Sequence, residues 1–128
     1  MTEKLFCMEK TLTFEFGVMT IYDKYVVVVV NEGINISLKH NDVLIDVTKT
    51  YFSKKPFIYI TNRINSYSVD PKIYLETAKI KNLKGLAVVS NNYKAKGNAQ
   101  IEKMFFNKPF EIFANLENAF SWADDILK

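Results

Sequence analysis

The run "YVVVVV" at residues 25–30 decides the fold of this chain. Its consecutive β-branched side chains favour a strand, and the lack of alternation with polar residues predicts that both faces of that strand are covered. Two further apolar runs have the same character, "FIYI" at 57–60 and "LAVVS" at 86–90. Strands of this kind are typical of parallel sheets with helices on both faces, so we expect such a sheet here.

The segment before the valine run predicts an antiparallel partner for it. Apolar and polar residues alternate over 12–16 and again over 19–21, with a change of phase at Gly17. Period-two alternation indicates a half-buried strand, and a glycine at a phase change favours a bulge or bend. We therefore expect one bent strand from 12 to 21, and residues 22–24 then turn the chain into the valine run.

Two helices are predicted in the middle of the chain. Ser37 is a suitable N-cap for a first helix, in which Leu44, Val47 and other apolar residues recur at helical spacing. Pro71 opens a second helix, since proline is favoured in a helical first turn, and this helix continues to about Asn82.

The C-terminal third predicts a loop, two helices and an edge strand. Residues 91–98 are polar and contain a glycine, which favours a loop, and Asn98 then caps a short helix ending at Phe106. A strand follows Pro109, and Asn115 caps a final amphipathic helix. The resulting order is ββαβαβαβα, a single-domain α/β fold with a mostly parallel mixed sheet of about five strands and about four helices.

Composition excludes several classes of protein. The chain of 128 residues has a net charge of +3 with lysines spread along its length, whereas nucleic-acid binders usually concentrate basic charge on one face. Cys7 is the single cysteine, which fits a reducing compartment. Residues 1–10 lack the apolar stretch of a signal peptide, and we expect a loosely ordered N-terminal segment there. We predict a cytoplasmic protein with no integral membrane segment and no nucleic-acid partner.

No catalytic or metal-binding motif stands out. His40 is the single histidine and lies on the first predicted helix, so a zinc site rich in imidazole or thiolate ligands lacks its ligands. A nucleophilic Cys7–His40 pair would require the N-terminal segment to fold over that helix. We therefore predict no enzymatic activity, no catalytic residues, no metal and no cofactor.

Polar residues concentrate instead in the connections that follow the predicted strands. Six of the twelve asparagines fall in these connections, which meet at the carboxyl ends of the strands, where ligands bind in open α/β sheets. Helix caps and turns explain part of this polarity. The residues that we predict to contact a partner or ligand are Asn62, Arg63, Asn65, Tyr67, Asn91, Asn92, Tyr93 and Lys94.

Arg63 is the residue that capping does not explain. It is the only arginine beside sixteen lysines, and its side chain has no acceptor with which to cap a helix N-terminus. It could cover the end of the sheet, pair with Asp70, or meet an anion such as a carboxylate or phosphate. A contact role predicts that Arg63→Ala leaves folding nearly intact, whereas a bracing role predicts that the same substitution unfolds the protein.

The element order resembles the STAS superfamily, in particular its SpoIIAA-like, or STAS/SEC14-like, group. The similarity covers roughly residues 11 to 127, and the stretches that carry it are "PFIYITNRINSYSVDP", "LKGLAVVS" and "NKPFEIFANLENAFSWADDIL". The resemblance implies a bacterial regulatory or protein-interaction module without enzymatic activity. Its contact surface would lie around residues 61–70.

The resemblance also leaves alternatives open. Anti-sigma-factor antagonists of this superfamily are switched by phosphorylation of a serine after the third strand, and the matching positions here are Ser66 and Ser68. The chain departs from their Asp-x-Ser pattern, because it reads "NSYSVDP". SEC14-like relatives imply a cleft for an anionic or amphiphilic ligand at the same place. We expect a monomer, or a weak homodimer formed by edge-strand pairing through 109–113.

Overall fold

The computed structural model describes residues 10–128. The predictions made for Cys7 and for the N-terminal segment, Lys10 excepted, lie outside the described residues. The strands are β1 (Lys10–Phe14), β2 (Gly17–Ile21), β3 (Tyr25–Val30), β4 (Asn35–Ile36), β5 (Phe57–Asn62), β6 (Ser68–Val69), β7 (Leu83–Val89) and β8 (Phe110–Phe113). The helices are α1 (Leu38–Tyr51), α2 (Ile73–Thr77), α3 (Tyr93–Lys103) and α4 (Leu116–Ile126).

One six-stranded sheet organises the molecule, in the order β1-β2-β3-β5-β7-β8. The β1–β2 and β2–β3 pairs are antiparallel, while β3–β5, β5–β7 and β7–β8 are parallel. β4 and β6 form a separate two-stranded parallel ladder that the sequence did not predict. The predicted α/β class with a mixed, mostly parallel sheet is confirmed.

The valine run is covered on both faces, as its sequence predicts. Val26, Val28 and Val30 belong to the core beneath α1, α2 and α3. Tyr25 and Val27 belong to a second core, beneath α4. Successive side chains of a strand point to opposite faces, so a strand between two helical layers must be apolar throughout.

The prediction of one bent strand over 12–21 is wrong, because the chain reverses direction there. β1 and β2 pair as a hairpin in which Phe14 lies opposite Gly17, with only Glu15 and Phe16 between them. A Cβ atom at Gly17 would lie 2.2 Å from the carbonyl oxygen of Val29 on β3. The glycine therefore marks a close approach between backbones, and the phase change that it accompanies is a turn.

The predicted extent of the second helix is also wrong. α2 contains five residues, and Pro71 and Lys72 form the turn that precedes it. Its inward face is the predicted one, with Ile73, Tyr74 and Thr77 buried.

The prediction of a polar loop at 91–98 is wrong, because residues 93–98 form the first half of helix α3. The Asn92 side chain, rather than Asn98, caps this helix by accepting a hydrogen bond of 3.0 Å from the Ala95 N–H. Asparagine and glycine have low helix propensity, which is why this segment read as a loop. The cap and the burial of Ala99 and Glu102 against the rest of the protein outweigh that propensity.

The remaining elements follow the sequence. α1 begins after Ser37, α4 begins after its Asn115 cap, and β8 forms an edge of the sheet. The Asn115 side chain accepts a hydrogen bond of 2.9 Å from the Asn118 N–H. Within residues 10–128, no helix combines the length and the hydropathy that a membrane-crossing segment requires.

Candidate functional site

An open groove of about 630 Å³ lies where β5 ends, between the 63–71 segment and α3. This is the carboxyl end of the parallel strands, where the sequence analysis placed the contact surface. Seven of the predicted residues line the groove together: Arg63, Asn65, Ser66, Tyr67, Ser68, Asn92 and Lys94. Three do not line it, namely Asn62, Asn91 and Tyr93.

Arg63 forms a buried ion pair with Glu102 of α3. Their side chains are 5% and 6% exposed. Arg63 Nη1 donates to Glu102 Oε2 over 3.0 Å, and Nη2 donates to Oε1 of the same carboxylate. Two parallel bonds between a guanidinium and a carboxylate fix orientation as well as distance, so this pair determines where α3 sits relative to the end of β5.

Two tyrosines complete the arrangement around Arg63. The Tyr74 hydroxyl accepts from Arg63 Nη2 over 3.1 Å and donates to Glu102 Oε1 over 2.8 Å. The guanidinium also lies 5.5 Å from the centre of the Tyr67 ring, whose hydroxyl is 2.8 Å from the Thr61 hydroxyl. Cation–π contact of this kind is stronger away from solvent.

The electrostatics of this cluster favour permanently fixed charges. Burial lowers the pKa of Arg63, but Tyr74 and the hydrogen bond to Glu102 more than compensate, and the pKa lies above its usual value. Burial is also the main cause that raises the pKa of the Tyr74 hydroxyl well above its usual value. At neutral pH the arginine is therefore charged and the tyrosine neutral.

Of the roles that the sequence left open for Arg63, the structure places it in an internal ion pair. Its carboxylate partner is Glu102 and not Asp70, whose Oδ1 accepts from the Lys72 N–H over 3.1 Å. The Arg63 N–H donates to the Val89 carbonyl over 2.8 Å, which ties β5 to β7 at the same point. Only Nε has no hydrogen-bond partner among residues 10–128.

The wall of the groove that residues 65–68 form is hydrogen-bonded to the 30–35 segment. Asn65 Nδ2 donates to the Val30 carbonyl over 2.9 Å, and the Ser66 N–H donates to Glu32 Oε1 over 2.8 Å. Ser68 Oγ donates to Asn35 Oδ1 over 2.9 Å. Ser66 and Ser68 are exposed, so both candidate phosphorylation sites are accessible on this wall.

Four of the predicted residues lie at the end of β5 or at the start of α3. Asn62 is half-buried at the end of β5, and its carbonyl accepts from the Ile64 N–H over 3.1 Å. Asn91 is exposed in front of α3, Lys94 is exposed on its first turn, and Tyr93 is 91% exposed. These residues extend the surface of the groove along α3.

Sequence reasoning missed three residues that shape this site. Glu102 is the partner of Arg63, and Ile64 and Ile101 are apolar groove residues that remain 69% and 54% exposed. Ala99 and Glu102 are spaced i, i+3, which would place them on one face of a helix. Both residues lie in the short helix that was predicted after Asn98, but their spacing does not say which distant residue Glu102 meets.

A small cavity of about 30 Å³ lies next to the groove, lined by residues of α1, α2 and the sheet. Tyr67 and Val69 line both spaces and therefore separate them. Asn41, which is 4% exposed, reaches this cavity and accepts from Thr77 Oγ1 over 2.6 Å, while its Nδ2 has no partner among residues 10–128. The space is large enough for about one or two water molecules.

His40 also lines that cavity, and its role is to cap α1. Its Nδ1 accepts from the Ser37 N–H over 3.0 Å, and its ring packs edge-on against Phe16 with centroids 4.9 Å apart. Burial, then the charge of Lys39, lowers the pKa of His40. Over residues 10–128, no three His, Cys, Asp or Glu side chains are grouped as metal ligands would be.

Comparison with known proteins identifies the fold. No protein-family profile matches the chain, and no curated protein matches its sequence. A solved structure of an uncharacterised protein of the DUF3478 family from Shewanella loihica PV-4, described as having a SpoIIAA-like fold, superimposes with a TM-score of 0.57. The overlap covers 89% of this chain and 90% of the other, at 12% sequence identity.

The fold is SpoIIAA-like. The resemblance drawn from the sequence is thereby confirmed as a statement about fold. At 12% identity the likeness carries no substrate or partner from one SpoIIAA-like protein to another.

Proposed function

We propose that this SpoIIAA-like protein is a non-enzymatic interaction module. Its contact surface is the groove between the 63–71 segment and α3, together with the exposed side of α3. The observation that supports the proposal is the distribution of exposed large apolar side chains. Among residues 10–128, four of the six lie on this surface: Ile64, Tyr93, Ile101 and Met104.

The chemistry of these side chains suits a protein partner. Tyrosine, methionine and isoleucine supply large contact areas, and tyrosine and methionine are enriched in interface cores. Tyr93 and Met104 are 91% and 82% exposed, so both side chains are available to a partner. Arg63 and Glu102, the buried ionic groups of the groove, are already paired with each other, so the surface offers mainly shape and apolar area to a partner.

Affinity capture from the native host tests the proposal, with protein bound to the bait identified by mass spectrometry. The variant Tyr93→Ala/Ile101→Ala removes two exposed apolar side chains from the surface, and we expect it to lose the captured partner. Leu38→Ala and Leu75→Ala are matched controls, because those leucines are 56% and 52% exposed on α1 and α2 and lie outside the groove. If the double variant captures the same protein as the wild type, the contact surface lies elsewhere.

A second candidate function is transport of a small anionic or amphiphilic ligand in the same groove. Its volume of about 630 Å³ falls within the range of small-molecule sites, and Lys94 supplies a positive charge at the rim. Native mass spectrometry of freshly purified protein tests this function, because a carrier retains its ligand as an added mass. A clean ligand-free mass, with no thermal stabilisation by fatty acids or phosphate esters, would remove the carrier function.

A phosphorylation switch is a third hypothesis, and it is supported by the exposure of Ser66 and Ser68. The sequence suggested that Arg63 would bind such a phosphate, but Arg63 is already paired with Glu102. A switch would therefore act by breaking the hydrogen bond from the Ser66 N–H to Glu32, because a phosphate on Ser66 would be repelled by the Glu32 carboxylate. Phosphopeptide mapping in the native host that finds both serines unmodified would discard it.

A further inference from the structure

We infer that the exposed face of α3 binds an acidic amphipathic helix, with an apolar side chain of that helix seated over Gly97. The inference rests on the proposed function and specifies the partner. Four residues define what we call the α3 face: Tyr93, Gly97, Ile101 and Met104. They recur at i, i+4, i+8 and i+11, so at 100° per residue they fall within an arc of about 80°.

This face points away from the protein. The buried residues of α3, Ala99 and Glu102, lie on the opposite side of the helix by the same spacing. The three large members of the α3 face are all exposed, Ile101 at 54%, Met104 at 82% and Tyr93 at 91%. A surface helix usually directs its large apolar residues inward, whereas the buried side of α3 carries only an alanine and a glutamate.

Gly97 has no internal requirement for a glycine among residues 10–128. A Cβ atom at Gly97 would meet no atom of these residues within 4 Å, and its φ angle is not positive. The other glycines have internal reasons: Gly17 and Gly85 are closely packed, and Gly33 has a φ of +80°. A glycine in the interior of a helix lowers helix stability, so its advantage must come from outside the chain.

The position of Gly97 suggests what that advantage is. It forms a notch between Tyr93 and Ile101, one turn from each. A small residue at the centre of a helix face lets a second helix approach closely, with a partner side chain entering the notch. α3 has 11 residues and is therefore about 16 Å long, which matches a partner helix of three to four turns.

Charge specifies the flanks of the partner. α3 contains Lys94, Lys96 and Lys103, and its single acid, Glu102, is neutralised by Arg63. Helical spacing places Lys94 on one side of the α3 face and the other two lysines on its opposite side. An apolar strip between rows of lysine is complementary to an apolar strip between rows of Asp or Glu, so the partner is acidic.

The test is selection from a library of displayed helix-forming peptides on the immobilised full chain. Each peptide carries an apolar stripe of Leu and Ala, and its remaining positions vary among Glu, Lys, Gln and Ser. We expect the enriched peptides to be acidic and to bind about tenfold or more weakly to Gly97→Leu. Leucine favours the helix more than glycine does, so a melting temperature at or above that of the wild type shows that this variant is folded. Thr50→Leu, at an exposed position of α1, is the matched control and should bind normally.

Each outcome decides a separate point. Enrichment of basic or neutral peptides overturns the acidic partner, and acidic peptides that bind Gly97→Leu normally overturn the seat over Gly97. Sedimentation that shows a dimer of the wild type but not of Gly97→Leu would assign the face to a second copy of the chain instead. Failure of the library while Tyr93→Ala/Ile101→Ala still loses its captured partner overturns this inference alone. Capture that is unaffected by that double variant overturns the proposed function itself.

Discussion

Helices α3 and α4 are closely matched in sequence length and capping but are attached to the sheet in opposite ways. Each contains 11 residues, and each begins with an asparagine whose side chain accepts a backbone hydrogen bond. α4 packs through an apolar stripe in which Ala119 and Ala123 are fully buried. α3 buries a single apolar residue, Ala99, and the buried pair of Arg63 and Glu102 fixes its position.

The difference shows how an interaction surface can be built without losing the fold. An apolar stripe used for internal packing is no longer available to a partner, whereas a specific ion pair can hold a helix through one side chain and leave its apolar residues outside. The ion pair also sets orientation, because a bidentate guanidinium–carboxylate contact is directional and hydrophobic packing is not. The comparison leads to four predictions, given from the largest expected effect to the smallest.

Removing the ion pair should have the largest effect. Arg63→Ala leaves the Glu102 carboxylate buried without its partner, which we expect to lower the free energy of unfolding by about 3–5 kcal/mol. Urea denaturation followed by circular dichroism measures this change. The double variant Arg63→Met/Glu102→Leu removes both charges and should recover most of the loss. If Arg63→Ala alone is nearly as stable as the wild type, the ion pair does not hold α3.

Gly85→Ala tests the packing of α4 against the sheet. A Cβ atom at this position would lie 3.0 Å from Trp122 Cη2 and 3.2 Å from the Pro109 carbonyl oxygen. We expect a loss of about 1–3 kcal/mol in the free energy of unfolding, because the helix or the strand must shift to admit the methyl group. A stability equal to that of the wild type would mean that the contact between α4 and β7 is looser than the distances indicate.

The same substitution in α3 should have the opposite sign. Gly97→Ala adds a methyl group where no atom lies within 4 Å, and alanine has a higher helix propensity than glycine. We expect the free energy of unfolding to rise by about 0.5–1 kcal/mol, measured in the same urea experiment. A destabilised Gly97→Ala would show that the glycine has an internal role, and would remove the main support for a helix seated there.

The smallest predicted effect concerns α1, which is capped by the titratable side chain of His40. The lowered pKa of His40 means that the unfolded chain, with a pKa near 6.5, takes up the proton first as the pH falls. Stability should therefore decrease as the pH falls below about 6.5 and level off below the folded-state pKa. Protonation also removes the Nδ1 acceptor used by the Ser37 N–H.

His40→Gln is the matched variant for that experiment. Glutamine keeps a hydrogen-bond acceptor at the third helical position but does not titrate. Urea midpoints at pH 7.5 and 5.5 should differ less for His40→Gln than for the wild type. Equal differences for the two proteins would assign the pH dependence to other groups.

The sequence predicted those parts of the fold in which one local pattern coincides with the final packing. The valine run of β3, the apolar stripe of α4 and the Asn115 cap each have a single structural reading, and the structure confirms them. Where two readings compete, the local pattern failed. The change of phase at Gly17 fits a bulge as well as a hairpin, and the choice depends on the approach of β3.

The sequence predicted where the candidate groove residues lie, but not how their side chains interact. The carboxyl ends of parallel strands meet at one edge, so the sequence alone brings the connections after β5 and β7 together. Seven of its ten candidate binding and phosphorylation residues do line one groove. The identity of Arg63's partner was not predictable, because Arg63 and Glu102 are 39 positions apart and no local pattern links them.

The sequence by itself therefore determined the α/β class, the two-sided burial of the central strands and the edge at which the polar connections after β5 and β7 meet. These follow from hydrophobic periodicity, which is local and repeats along the chain. Only the tertiary structure decided that Arg63 is internal, that α3 begins at Tyr93, and that its apolar face is exposed. These depend on single long-range contacts between polar groups, and no local pattern records which distant group completes such a contact.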